Sequence, residues 1–98
     1  MDKFGLPEKT YKLIKNYLSA VKEIDNIKIF GSRARGNYKP NSDIDLVLFG
    51  ENLNEKILLH VATELDELPT PYKFDILDYK TIDNENLKNI IDNFSIDF

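Results

Sequence analysis

Two aspartates inside an apolar run constrain this chain more than any other feature. Residues 43–49 read DIDLVLF, a composition typical of a β-strand except for Asp43 and Asp45. Aspartate is disfavoured in strands, so a pair of them in such a run calls for a reason. Side chains alternate along a strand, so both carboxylates project from one face, where they repel each other unless a cation lies between them. The pair therefore predicts either a metal site or solvated strand residues.

A glycine-serine turn precedes this strand at a defined distance. Ile27, Ile29 and Phe30 predict a short strand that ends at Gly31-Ser32, and ten residues separate Ser32 from Asp43. The backbone N–H groups of such a turn can bind an anion, although a plain turn has the same composition. The spacing of the turn and the aspartate pair favours a phosphate site facing a metal site.

Three further side chains near the turn are candidates for binding a nucleotide. Guanidinium groups bind phosphate through two parallel hydrogen bonds, which makes Arg33 and Arg35 candidates, with Arg33 preferred. An exposed basic turn is the alternative for both. Ser42 can hydrogen-bond an aspartate or a ligand, or it can close the loop that precedes Asp43.

Helices and strands alternate along the rest of the chain. The patterns predict a helix from Pro7 to about Glu23, a helix over Glu55–Leu68, a strand over Tyr72–Tyr79, and a final helix capped by Asp83 or Asn84. This order indicates the α/β (α+β) class. We expect a small mixed sheet of three or more strands with helices packed on one face and the other face partly open.

Strand alternation identifies a third carboxylate. If Phe74 and Ile76 face the helices, Asp75 projects from the face that carries the aspartate pair, whereas Asp78 has the opposite parity. Magnesium favours carboxylate oxygens completed by water and substrate phosphates. Two such ions can activate an attacking oxygen and stabilise the leaving oxygen at phosphorus.

Length and charge narrow the class of protein. The 98 residues predict a single domain spanning residues 1–98, and the net charge of −4 argues against general nucleic-acid binding. Cysteine is absent, which excludes thiolate metal sites. We find neither an apolar run of bilayer length nor a signal peptide and expect a cytoplasmic protein. The apolar C-terminal segment FSIDF predicts either a frayed tail or a strand that binds a partner.

The segment GSRARGNYKPNSDIDL resembles the signature of nucleotidyltransferases related to DNA polymerase beta, namely Gly-Ser, a spacer and Asp-x-Asp. Arg33, Gly36 and Ser42 make it most similar to the group called minimal nucleotidyltransferases. The resemblance covers Ile29 to Leu48, with Asp75 as a third match. It implies the polymerase-beta-like nucleotidyltransferase fold and transfer of a nucleoside monophosphate to an acceptor hydroxyl, with release of pyrophosphate.

The resemblance also implies roles for individual residues. Asp43, Asp45 and Asp75 would bind divalent metal, with two Mg²⁺ ions expected. Gly31 and Ser32 would hold the nucleoside triphosphate.

The chain is too short to carry a separate domain for the acceptor, so we expect another chain to supply it. Minimal nucleotidyltransferases are often paired with a helical HEPN-domain protein as antitoxin and toxin. The implied acceptor is a tyrosine hydroxyl of that partner, modified with AMP from ATP, which would block its ribonuclease activity. Two alternatives stay open: a non-catalytic antitoxin that masks its partner, and a nucleotide-binding subunit of an enzyme acting on a small molecule such as an aminoglycoside.

Overall fold

A computed structural model describes residues 3–98 and has the expected mixed α/β architecture. The helices are α1 (Glu8–Ser19), α2 (Ser32–Arg35), α3 (Glu55–Glu67) and α4 (Glu85–Phe94), and the strands are β1 (Asn26–Phe30), β2 (Ile44–Phe49), β3 (Phe74–Asp78) and β4 (Ile96–Asp97). A single 3₁₀ turn, Tyr79–Thr81, follows β3. None of the helices in residues 3–98 is long and apolar enough to span a membrane.

The four strands form one mixed sheet in the order β3-β2-β1-β4. Strand β1 runs antiparallel to both β2 and β4, whereas β2 and β3 are parallel and are connected through α3. A short hairpin turn joins only antiparallel strands. Two parallel strands need a crossover connection, because the chain must return to the end of the sheet at which the first strand began. The C-terminal end of β1 and the N-terminal ends of β2 and β3 therefore lie at the same edge of the sheet.

Helices α1 and α3 cover one face of the sheet, as the sequence predicts. The alternating positions Ile44, Leu46 and Leu48 of β2 are fully buried against them. Each helix contributes two buried side chains at helical spacing: Ile14 and Leu18 from α1, Val61 and Leu65 from α3. Full burial of each such side chain contributes about 1.5–3 kcal/mol. The main core therefore lies between the sheet and the helices α1 and α3.

The second face of the sheet is covered in part by a helix. Helix α4 packs Ile91 against Phe30 and Val47, and these three side chains form a small core of their own. The side chain of Asn84 caps the helix by accepting a hydrogen bond from the Leu87 N–H at 3.0 Å. The second face is therefore partly open, as expected: α4 covers its central part, and the aspartates lie at the end that α4 leaves uncovered.

The C-terminal segment is ordered, so the expectation of a frayed tail is wrong. Ile96 pairs with Ile29 across β4 and β1, and the N–H of Phe98 donates to the Ile27 carbonyl at 3.1 Å. The Phe98 side chain is buried against Phe4. The segment forms an edge strand of the chain's own sheet.

Candidate active site

The turn between β1 and α2 is shaped by one glycine. Gly31 has φ 76° and ψ −156°, a conformation that residues with a β-carbon rarely adopt. A β-carbon built on Gly31 would overlap the carboxylate of Asp45. Ser32 follows as the first residue of α2, so the Gly-Ser turn lies directly against an aspartate of the neighbouring strand.

Three aspartates lie at this edge of the sheet. Asp45 and Asp75 are direct partners in the parallel ladder between β2 and β3, and Asp43 immediately precedes β2. Asp45 is half-buried, whereas Asp43 and Asp75 are exposed. Strand alternation therefore places Asp75 correctly beside Asp45.

The fourth aspartate of this region, Asp78, belongs to the opposite face. Its side chain is buried and forms an ion pair with Lys80, at 3.0 Å between the carboxylate and Nζ. It also accepts a hydrogen bond from the Lys80 backbone N–H. Asp78 therefore holds the end of β3 rather than contributing to the aspartate group.

The aspartates interact electrostatically. The pKa of Asp45 is raised from 3.8 to about 6, chiefly by burial and then by the negative charges of Asp75 and Asp43. The nearby guanidinium of Arg33 opposes this effect by lowering the same pKa. Near neutral pH the edge thus concentrates negative charge that a cation would compensate.

The chemistry of these side chains fits a hard divalent cation. As they stand, no three acidic or histidine side chains within residues 3–98 are close enough together to surround one ion. Mutual repulsion favours such a separation, and within the described part of the chain no hydrogen bond holds the exposed carboxylates of Asp43 and Asp75 in place. Carboxylate oxygens are the ligands that Mg²⁺ prefers. Asp43, Asp45 and Asp75 are therefore the side chains that would hold it.

Arg33, which the sequence predicts as a nucleotide contact, is buried in the structure. Its side chain is only 2% exposed. Nε and Nη2 both donate to the Ser42 carbonyl, at 3.1 and 2.9 Å, and Nη2 also reaches the Pro40 carbonyl at 3.3 Å. Nη1 donates to the Phe4 carbonyl at 2.9 Å. The guanidinium is thus occupied by backbone carbonyls, and Arg35 is the exposed arginine of α2.

Two tyrosines enclose the same guanidinium. The Arg33 Cζ atom lies 5.2 Å from the ring centre of Tyr38 and 5.0 Å from that of Tyr72. Cation–π contacts of this kind are stronger when the cation is shielded from water. The sequence analysis did not predict these partners. Tyrosines in the two loops beside the motif could have indicated a cation–π contact with Arg33.

Ser42 closes the loop before Asp43. Its Oγ accepts a hydrogen bond from the Lys39 N–H at 2.8 Å, and its own N–H donates to the Lys39 carbonyl at 3.0 Å. Of the two roles that the sequence leaves open, the structure shows this one. Nucleotide binding by Ser42 stays a prediction.

A cleft of about 380 Å³ opens beside Asp43. The loop before β2 forms one wall and the segment before β3 forms the other, with these lining residues: Pro40, Asn41, Asp43, Pro71, Tyr72 and Lys73. Its size is in the lower range of small-molecule sites. It lies on the β3 side of the aspartates, away from the Gly-Ser turn on β1.

Comparisons with known proteins agree with this fold. The family model described as polymerase beta, nucleotidyltransferase matches residues 12–96. No curated protein matches the chain.

Among solved structures, a toxin–antitoxin with AMP-PNP is similar at 21% identity and a TM-score of 0.71, covering 90% of this chain and 70% of that one. The toxin–antitoxin MntA-HepT matches at 19% identity and a TM-score of 0.63, covering 90% and 67%. A putative nucleotidyltransferase from Sulfolobus solfataricus matches at 22% identity and a TM-score of 0.56, covering 92% and 77%. At these identities the likeness shows a shared fold.

Proposed function

We propose that this chain, which belongs to the polymerase beta family of nucleotidyltransferases, transfers AMP from ATP to a hydroxyl group of a partner protein and acts as its antitoxin. One observation carries the proposal: Gly31 packs against Asp45 while Asp45 pairs with Asp75. The turn that we propose to bind phosphate and a group of carboxylates thereby lie side by side, as nucleotidyl transfer requires.

The donor half of the reaction uses residues of this chain. The Gly31-Ser32 turn would bind the triphosphate, and Asp43, Asp45 and Asp75 would hold the divalent metal, expected to be two Mg²⁺ ions. Bound metal would neutralise phosphate charge and stabilise the attacking and leaving oxygens. The rigid strand ladder keeps Asp45 and Asp75 in register without help from substrate.

The acceptor half would come from a second chain. In an in-line displacement the attacking oxygen approaches opposite the leaving group. If pyrophosphate leaves over the Gly-Ser turn on β1, the acceptor must approach from the β3 side, where the cleft beside Asp43 opens. Within residues 3–98 the helices α1, α3 and α4 are used to cover the sheet. The acceptor we propose is a tyrosine hydroxyl of a HEPN-domain toxin encoded nearby, and the shared fold with toxin–antitoxin structures supports this choice.

The proposal is tested by incubating the purified protein with ATP, Mg²⁺ and the partner, followed by intact-mass measurement. We expect the partner to gain AMP, and the gain to be lost in the Asp43→Asn/Asp45→Asn double variant. Asp66→Asn, an exposed position on α3, is the matched control and should transfer normally.

Two results would decide against transfer to a protein. Inhibition of the partner that survives the double variant, with no change in mass, would support an antitoxin that masks its partner. Transfer of AMP to a small molecule such as an aminoglycoside, with no change on the partner, would support the subunit of a small-molecule enzyme.

A further inference from the structure

We propose that Arg33 is a positioning residue, which fixes the loop that presents Asp43 and joins it to the N-terminal turn of the chain. The inference deepens the proposed function, since it rests on Asp43 acting as a metal ligand. It assigns Arg33 a role that acts through the backbone, with no direct contact to phosphate.

The loop over residues 37–42 needs an external anchor. Residues 37–41 are exposed, and the internal hydrogen bonds seen in the loop are the reciprocal pair between Lys39 and Ser42. Segments with few buried contacts open locally at low free energy. Without an anchor, the position of Asp43 would vary with the loop.

Arg33 holds the loop at the peptide unit that precedes Asp43. The Ser42 carbonyl, which accepts from both Nε and Nη2, belongs to the same planar peptide group as the Asp43 nitrogen. Fixing that oxygen fixes the plane from which the Asp43 α-carbon emerges. The further bond to the Pro40 carbonyl secures the loop two residues earlier.

The other end of the guanidinium reaches the N-terminal turn. Nη1 donates to the carbonyl of Phe4, a residue with a positive φ of 57°. Gly5 follows at φ 72°, and a β-carbon there would overlap the ring of Tyr38, which covers one face of the guanidinium. Leu6, which is fully buried, ties this turn to the main core. The Arg33 side chain thus connects the loop over residues 37–42 to the N-terminal turn and, through Leu6, to the main core.

Lysine cannot reproduce this arrangement. A planar guanidinium presents five N–H donors in a fixed fork, whereas an ammonium group is a compact point charge on a flexible stem. Arg33→Lys keeps the positive charge near Asp45 and removes the fork. It therefore separates the positioning role from the electrostatic one.

The experiment compares Arg33→Lys with two controls, Arg35→Lys on the exposed side of α2 and Val61→Ala in the core of α3. Three properties are measured: backbone amide hydrogen exchange in the metal-free protein, Mn²⁺ affinity by titration, and kcat and KM for ATP. We expect selectively faster exchange at residues 39–43 and a roughly tenfold loss of Mn²⁺ affinity, as for other residues that orient a metal ligand. The value of kcat should fall more than KM rises.

The controls exclude a general loss of stability. Arg35→Lys should leave amide exchange at residues 39–43 unchanged, and Val61→Ala should lower Tm without a selective effect on residues 39–43. Wild-type exchange in Arg33→Lys, or an increase spread evenly along the chain, would overturn the proposal. If Arg33→Lys does not fold, Tyr38→Leu removes one ring and keeps the four hydrogen bonds, and it should raise exchange in the same loop. Unchanged exchange in Tyr38→Leu would then overturn the proposal.

Mn²⁺ binding and hydrogen exchange separate the failure of this proposal from the failure of the proposed function. A wild-type protein that binds no Mn²⁺ would contradict the function proposed above. Hydrogen exchange would still decide whether Arg33 fixes the loop.

Discussion

The carboxylate of Asp45 occupies the space that a β-carbon at Gly31 would require. Gly31 directly follows β1, and Asp45 belongs to the neighbouring antiparallel strand β2. The two residues lie next to each other because Phe30, the last residue of β1, pairs with Asp45. Glycine at this turn therefore serves two purposes: it adopts the positive φ, and it leaves room for the aspartate. This contact places the proposed triphosphate site beside the proposed metal site.

The first prediction concerns the side chain at this turn. Gly31→Ala should abolish transfer, because the methyl group displaces the Asp45 carboxylate, and should destabilise the fold through its strained backbone by about 1–3 kcal/mol. Gly36→Ala is the matched control, since Gly36 also has a positive φ of 85° but has open space around its α-carbon. We expect a loss of Tm in both variants, measured by thermal unfolding and larger in Gly31→Ala because of the overlap with Asp45, and loss of AMP transfer in Gly31→Ala alone. Equal transfer by the two variants would contradict the prediction.

The second prediction concerns the pH dependence of stability. The pKa of Asp45 in the folded protein is about 6, above its ordinary value of 3.8, so the folded state binds the extra proton between these pH values. The free energy of unfolding therefore falls as pH rises from about 4 to 6 and stays low above that. Asp45→Asn removes this loss and, allowing for partial exposure, should stabilise the metal-free protein at pH 7 by about 1–2 kcal/mol.

Denaturant unfolding at pH 4 and pH 7 measures this effect. The advantage of Asp45→Asn should disappear at pH 4, where the wild-type carboxyl is largely protonated. Asp66→Asn should behave as the wild type at both pH values. Adding Mg²⁺ at pH 7 should stabilise the wild type and not Asp45→Asn, since a ligand stabilises only the form that binds it. An equal response to Mg²⁺ in both proteins would place the metal elsewhere.

The third prediction distinguishes Asp75 from Asp78. Asp75 is exposed and lies beside Asp45, so Asp75→Asn should abolish transfer with little change in Tm. Asp78 is buried and pairs with Lys80, whose Nζ also donates to the carbonyls of Gly50 and Leu53. Asp78→Asn should therefore cost about 2 kcal/mol of unfolding free energy and retain transfer at a temperature where the variant is folded. Loss of transfer in folded Asp78→Asn, with normal transfer by Asp75→Asn, would exclude Asp75 as a ligand.

Much of the site could be predicted from the sequence because it depends on local rules. Strand alternation needs only the parity of a residue, and it places Asp45 and Asp75 on one face and Asp78 on the other. The Gly31-Ser32 turn and the Asn84 cap are likewise set by their immediate neighbours in the chain.

Contacts between distant segments could not be predicted in this way. Arg33 appears exposed in sequence, since arginine is rarely buried without partners. Its partners are backbone carbonyls contributed by a loop and by Phe4, 29 residues away, and carbonyls carry no sequence signal. The cover of the second face by α4 depends similarly on how Ile91 meets Val47, and no periodicity in either element specifies the other.

The last prediction compares the two serines of the motif. Ser32 lies in the turn beside Asp45, so in the proposed function its hydroxyl donates to phosphate, and Ser32→Ala should raise KM for ATP by roughly tenfold, the cost of one hydrogen bond to a charged group. The Ser42 hydroxyl already accepts the Lys39 N–H, so Ser42→Ala should leave KM unchanged and lower the unfolding free energy by about 0.5 kcal/mol, since water can replace the acceptor in an exposed loop. Steady-state kinetics and thermal unfolding of the two variants measure both effects. An equal rise in KM would show that Ser42 also contacts the nucleotide, the alternative that its place in the motif suggests.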